Sequence, residues 1–343
     1  MIRNLLIIGN GFDLAHGLKT SYHDFIRHSI EEKQNNVSYC NKLFPKKRYQ
    51  DYDSFMTNIK VNSAFTGIKN HLLLEILRKE AIENWCDIEG VYFQILNETK
   101  NRKGNYSNIK KLNDDFQDIK DCLGKYLLEE QKKFKSIETY HTFLNKFLTK
   151  NTLIVNFNYT DILNQYFSDY EGQMIHIHGE LQNESNPIIF GFAANNEESR
   201  ELINIGDREY IRNIKKHNYK RTNNRNILKN FLNNKYKIEV SILGHSCGIS
   251  DKLILHDIFN HDNISKIRIF YHKDYEHFFN TQHSIDRIMN NDINFEKLVN
   301  FQESIVMPQH DDEHSQQEKV IQGLRNMFKQ QEGESNKSIT LQP

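Results

Sequence analysis

The sequence predicts an α/β fold, a mostly parallel sheet interrupted by a helical insertion. Two observations carry that prediction. Short apolar runs, each ending in a glycine or polar turn, stand on both sides of a long central segment, as buried parallel strands would. The central segment, residues 35–150, instead shows helical spacing with charged outer faces.

The elements follow in order. Residues 3–8 form the first apolar run and stop at Gly9. In "TSYHDFIRHSIEEK" a Thr/Ser start precedes Asp24, so a helix begins near Ser21. "HLLLEILRKEAIENW", "LNDDFQDIKDCLGKYLLEEQKKF" and "IETYHTFLNKFL" are the clearest helices of the insertion. Strand-like runs return at 152–157, 174–179, 187–192, 238–244 and 266–272, with helical pieces such as "DILNQYF" and "DKLILHDIF" between them. The expected organisation is an α/β core over 1–34 and 151–308, split by the helical insertion 35–150. Residues 200–237, with eleven Lys/Arg against three Asp/Glu, read as a basic insertion within the core. Residues 309–343 read as a polar, fraying tail with a short helix near Ile321.

Bulk properties narrow the function classes. A formal net charge of +0 over 343 residues gives no whole-protein attraction to nucleic acid or anionic membrane. No run approaches the roughly 18–20 apolar residues of a membrane span. The first residues read as a strand and not as a signal peptide. The 4 cysteines lie far apart without a CxxC, which suits reduced thiols in a cytoplasmic protein.

Parallel α/β sheets bind ligands outside the carboxyl ends of their strands. The first run leads into Gly9, Asn10, Gly11, Phe12 and Asp13. Glycines there let backbone N–H groups approach a pyrophosphate, although a tight turn explains them equally well. The dinucleotide fingerprint wants a further glycine where Leu14 stands. "VNFNYTDIL" places Asn158 and Thr160 at a strand end, to bind a sugar, position a water or cap the next helix. In "MIHIHGEL", His176 and His178 share a strand face ahead of Gly179. A metal needs three or four ligands, and no Cys or further His stands at a telling spacing, so no metal is expected. His178 suits general acid/base work, with a hydrogen-bonded structural histidine as the plain alternative. Gly244-His245-Ser246-Cys247-Gly248 fits the GxSxG nucleophile elbow. That elbow needs a later acid and His, and only Asp257 or Asp274 with His277 or His283 can be nominated.

In order, these strand ends resemble the SIR2-like, Rossmann-like fold of NAD-binding enzymes. The matching residues are Gly9 to Asp13, Asn158-Tyr159-Thr160, His178-Gly179 and Gly244-His245-Ser246. Within that group, "LIIGNGFDLAHGLKTSYHDF", "NWCDIEGVYF", "NFNYTDIL", "IHIHGEL" and "ILGHSCGISD" resemble the blocks of the AbiH family of phage abortive-infection proteins. Departures exist: Thr160 stands where the SIR2-like pattern has Asp, with Asp161 beside it, and the sirtuin zinc module is absent.

The resemblance implies an anti-phage effector that hydrolyses NAD at the nicotinamide–ribose bond and so halts growth of infected cells. His178 would be the base and Asn158 would orient the water or ribose. The amides around Gly9, Asn10, Gly11 and Phe12 would hold the pyrophosphate. Asp13 would hydrogen-bond loop amides or a ribose hydroxyl, with Thr160 lining the pocket, and Gly244 and Ser246 would meet a phosphate or the adenosine ribose. Implied partners are NAD or a related nucleotide, a phage-derived trigger and a second copy of the chain. Two other classes stay open. One is nucleic-acid binding or cleavage through Trp85, Asp87, Glu89 and the basic 200–237 stretch, whose plain reading is caps, ion pairs and a solvated face. The other is a nucleotide sensor without turnover.

Overall fold

The computed structural model describes residues 2–31, 42–43, 51–61, 68–83, 87–101, 108–147, 149–166, 172–194, 196–289, 292–313 and 316–326. Trp85, Cys40 and Cys86 lie outside the described residues. Among the described residues six strands form one sheet: β1 (Ile2–Ile8), β2 (Thr152–Asn156), β3 (Gln173–His176), β4 (Lys237–Leu243), β5 (Ile264–Tyr271) and β6 (Ile305–Val306). All pairings are parallel, in the order β3-β2-β1-β4-β5-β6. This is the α/β fold with a Rossmann-like sheet that the alternation of apolar runs and helices predicts. Leu5 to Ile8 have no exposed surface, the signature of a central strand covered on both faces.

Strand order fixes where a ligand can enter. β2 and β3 lie on one side of β1, and β4, β5 and β6 on the other. Successive crossovers therefore diverge between β1 and β4, a switch point at which such sheets open a crevice beyond the strand ends. Ile8 is level with Asn156 on one side and Leu243 on the other, so the loops after β1, β2 and β4 leave the sheet side by side.

The chain forms two compact units, and their boundaries differ from the expected ones. The sheet unit comprises Met1–Leu18, Lys133–Ile188 and Tyr219–Pro343; the helical unit comprises Lys19–Lys132 and Ile189–Asn218. The helix Glu138–Phe147 belongs with the sheet, because Tyr140, Phe143 and Leu144 share a buried cluster with Leu6, Ile8, Phe12 and Ile154. A helix over 316–326 adds Val320 and Leu324 to that cluster. The expected fraying tail is thus part of the core as far as 326.

One expected strand is absent. Residues 187–192 make only an isolated bridge, Phe192 to Ile214. The apolar run is a buried connection: within the helical unit Phe190 stacks on Phe116 at 4.8 Å and Phe192 on Phe93 at 4.4 Å. Conversely, β6 has two residues, too short for a sequence signal.

The helical unit explains "DIEGVYF". The Asp87 carboxylate accepts from Gly90 N–H and caps the helix Ile88–Lys100. Glu89 is buried, with Oε2 2.9 Å from Lys215 Nζ and Oε1 accepting from Gly191 N–H, also at 2.9 Å. Lys215 is 1% exposed, so the basic stretch spends one of its cations inside the protein. Arg212 pairs with Glu209, and in the sheet unit Arg225 pairs with Asp257 at 2.8 Å. Among the described residues no helix is long and apolar enough to cross a membrane.

Candidate functional site

The loops after β1 and β4 interlock through glycine. Gly9 N–H donates to Leu243 O (3.1 Å) and Gly11 N–H to Gly244 O (2.7 Å). A Cβ on Gly9 would lie 2.6 Å from His245 Cα, and one on Gly11 2.7 Å from Gly244 Cα. Gly244 has φ +66°, and its Cβ would meet Phe12 N at 2.4 Å. Glycine here admits the neighbouring loop, and the two amides expected to cradle a pyrophosphate are already donated within the protein. Gly17, whose N–H donates to Leu14 O, closes the first helix, Gly11–Ala15. Gly244→Ala should cost about 2–4 kcal/mol of stability, from the left-handed backbone plus a backbone clash. Urea denaturation of the variant checks this, and a midpoint equal to wild type contradicts the interlock.

The loop after β2 is tied to the loop after β1. Asn158 Nδ2 donates to Gly9 O (3.1 Å) and to Asp13 Oδ1 (2.6 Å), and Thr160 Oγ1 donates to Asp13 Oδ2 (2.6 Å). Asn158 therefore uses both amide hydrogens to hold the first loop and keeps only its oxygen for other partners. Asp13 is 1% exposed. Burial pushes its carboxyl up to about 7, against the opposing pull of Thr160 and Asn158.

One turn on, His16 faces the opposite problem. Nδ1 donates to Phe12 O (2.7 Å), and Nε2 accepts from the Tyr166 hydroxyl (2.7 Å), which itself accepts from Ile137 N–H. Burial lowers this imidazole to about 4, with the Phe12 carbonyl opposing and His310 adding to the depression. The two groups respond to pH with opposite sign. The fold binds the Asp13 proton more tightly than the unfolded chain, so that contribution is complete below the ordinary 3.8 and is lost as pH rises through 7. The fold binds the His16 proton less tightly, so stability is complete above 6.5 and is lost as pH falls through 4. Between those limits the two effects offset one another. Asp13→Asn removes the acid and keeps the shape, its Oδ1 still accepting from Asn158 and its Nδ2–H donating to a Thr160 hydroxyl turned to accept. It should lose about 3 kcal/mol of stability between pH 6.5 and pH 4 that wild type retains. Denaturant titrations at the two pH values measure the difference; equal slopes would contradict the assignment.

A third group gathers beyond β3 and β4. His178, His245 and Tyr219 are 5%, 7% and 2% exposed. His178 Nε2 lies 3.0 Å from Asp251 Oδ1 and 3.1 Å from the Tyr219 hydroxyl. His245 Nε2 lies 3.4 Å from Asp251 Oδ2, and its Nδ1 accepts from Cys247 N–H at 2.9 Å. Phe157 packs edge-on against both imidazoles, at 5.1 Å from His178 and 4.3 Å from His245. His178, His245 and Asp251 come from the turn after β3, the bend after β4 and the 3-10 turn Ile249–Asp251, while Tyr219 follows the helix Lys215–Asn218 and Phe157 follows β2. A Cβ on Gly179 would strike the Pro187 carbonyl at 2.2 Å, which explains a glycine directly after His178.

A family profile described as "Bacteriophage abortive infection AbiH" matches residues 5–273. The chain belongs to the AbiH family. Membership carries a role in abortive infection, a defence against bacteriophage. No curated protein matches the chain.

In this AbiH protein the expected site residues fall into two neighbouring groups. Gly9, Asp13, Asn158 and Thr160 form a closed hydrogen-bonded set, with Phe12 buried beneath it. His178 stands with His245, Asp251 and Tyr219, beside Phe157. Asn10 and Ser246 are exposed on the loops after β1 and β4. His176 is buried at the end of β3, its Nδ1 3.4 Å from Asn156 Nδ2, and burial lowers its pKa.

The nucleophile-elbow match dissolves in the same geometry. Cys247, not Ser246, holds the left-handed backbone (φ 53°), and burial followed by the nearby Asp251 pushes its thiol up. Asp257 pairs with Arg225, and Asp274 caps the helix Tyr275–Asp286 through His277. Tyr219 had no sequence signal of its own, and Asp251 closes the block "ILGHSCGISD" without being marked as a site residue. Asp251 reads as a helix-start acid, and Tyr219 sits inside a basic run. Among the described residues no group of three or more His, Cys, Asp or Glu is placed to hold a metal ion.

Proposed function

We propose that this AbiH protein halts growth of infected cells by hydrolysing NAD at the nicotinamide–ribose bond. The observation that carries the reading is a buried histidine–carboxylate pair, His178 and Asp251 at 3.0 Å, beyond the strand ends of a β3-β2-β1-β4 sheet. A carboxylate against an imidazole orients the ring and stabilises its protonated form, as a general base requires.

The step balances simply. A water oxygen bonds to the ribose anomeric carbon as the carbon–nitrogen bond breaks. The electron pair of that bond returns to the positively charged nicotinamide ring, which leaves neutral and needs no acid. The proton of the water goes to His178, and Asp251 steadies the resulting imidazolium. Charge builds on the ribose in the transition state, so positioning and electrostatics dominate the rate.

Other residues take supporting parts in this reading. Asn158 and Thr160, through Asp13, hold the first loop in place, and Asn158 Oδ1 remains to accept from a ribose hydroxyl or the water. Gly9, Gly11 and Gly244 bring the two loops together, while the exposed Asn10 and Ser246 supply polar contacts to phosphate or ribose. Incubating purified protein with NAD and measuring nicotinamide and ADP-ribose tests the proposal. Absence of both products, with and without phage lysate as a source of trigger, would falsify it.

A further inference from the structure

We infer that His245 is a positioning residue of this site, holding through its Nε2–H the carboxylate that bears on His178. The inference rests on the reading of His178 as the base. It starts from a backbone group whose role is unambiguous. Cys247 N–H can only donate, and it points at His245 Nδ1 from 2.9 Å. That nitrogen must carry the lone pair, so the neutral ring carries its proton on Nε2. Nε2 faces Asp251 Oδ2 at 3.4 Å, while Oδ1 of the same carboxylate faces His178 Nε2 at 3.0 Å.

The backbone at Cys247 fits this role. Its φ of 53° is rare for a residue with a side chain. The turn carries Cys247 N–H back onto the ring of the residue two before it. The thiol itself is 1% exposed and, with its pKa raised, remains protonated, so it adds no charge beside the pair. Among the described residues Asp251 faces His178, His245 and this neutral thiol, and Tyr219 faces His178. The sequence run Gly244-His245-Ser246-Cys247-Gly248 acquires a purpose without any nucleophile: it builds a tautomer-fixed donor.

The chemical consequence concerns the His178–Asp251 couple as one titrating unit. An N–H donated to a carboxylate favours the couple's deprotonated state. Without that donor the couple takes up its proton at higher pH, and less of the base is available at neutrality.

The test uses full-length protein with 15N-labelled histidine, His178 being assigned by its loss in His178→Gln. In wild type, His245 should show its proton on Nε2; a proton on Nδ1 overturns the inference without any variant. His245→Phe keeps a ring and removes the donor. It should move the His178 titration upward by about half a pH unit or more. His245→Gln still offers an N–H to Asp251 and should restore the wild-type midpoint. An unmoved midpoint in folded His245→Phe, or equal shifts in both variants, overturns the assignment. These readouts need no turnover, so failure to cleave NAD would count against the proposed reaction and leave this result separate. Where NAD is cleaved, the acid limb of the kcat profile should move with the same pattern.

Discussion

Replacing His178 with alanine is expected to lower NAD turnover by about 10²- to 10⁴-fold, the usual contribution of a positioned general base. The effect should appear in kcat more than in KM, because proton removal is needed in the transition state and not for binding. Asp251→Asn should approach the same loss, since an amide cannot steady the imidazolium that forms as the water is deprotonated. Removing His178 also empties a buried ring position between Phe157 and Tyr219. The comparison therefore includes His178→Gln, which fills more of the space and cannot act as a base. Equal losses in the two variants, with thermal midpoints near wild type, identify chemistry as the cause. Retention of turnover in His178→Gln would remove His178 from the role.

The second large effect concerns stability, in the helical unit. Glu89→Gln leaves Gly191 N–H with an acceptor and strips Lys215 of its carboxylate. Breaking a buried ion pair from one side costs about 3–5 kcal/mol, a large part of the ~5–15 kcal/mol that holds a typical domain folded. Lys215→Met added to Glu89→Gln removes the buried ammonium and should recover much of the loss. Chemical denaturation of Glu89→Gln, Lys215→Met and the double variant gives the coupling. A double variant no better than Glu89→Gln would show that Lys215 contributes through packing alone.

Which parts of this protein are legible in its sequence follows from which interactions are local. β1 and β2 announce themselves because a strand buried on both faces is apolar along most of its length, while β4 and β5 remain visible although Glu239, Ser241 and Arg268 alternate with their apolar residues. The same rule misleads at 187–192, where Ile189, Phe190 and Phe192 are buried on helices without entering the sheet. Period and apolarity cannot distinguish those two burials. At the site, glycine and histidine strand ends are visible because few residues tolerate those positions. Asp251 is not, because its partner His178 arrives from the turn after β3 and leaves no mark on "GISDK". Asp13 lies between these extremes. It stands inside a visible motif, yet its tie to Asn158 spans 145 residues and appears only when the strands are side by side.

That interlocking of distant loops also sets a clock on synthesis. β1 emerges first, but its partner Leu243 and the carboxylate of Asp251 come from the last third of the 343-residue chain. At bacterial elongation rates of roughly 5–20 residues per second, about 10–50 seconds separate the first loop from the last residue the site needs. A nascent chain on the ribosome holds the glycine loop without its counterpart, and a truncated or stalled product holds it permanently. For a protein proposed to arrest its own host, translation itself is a safety interval: a copy that stops before residue 251 lacks the carboxylate of the proposed site.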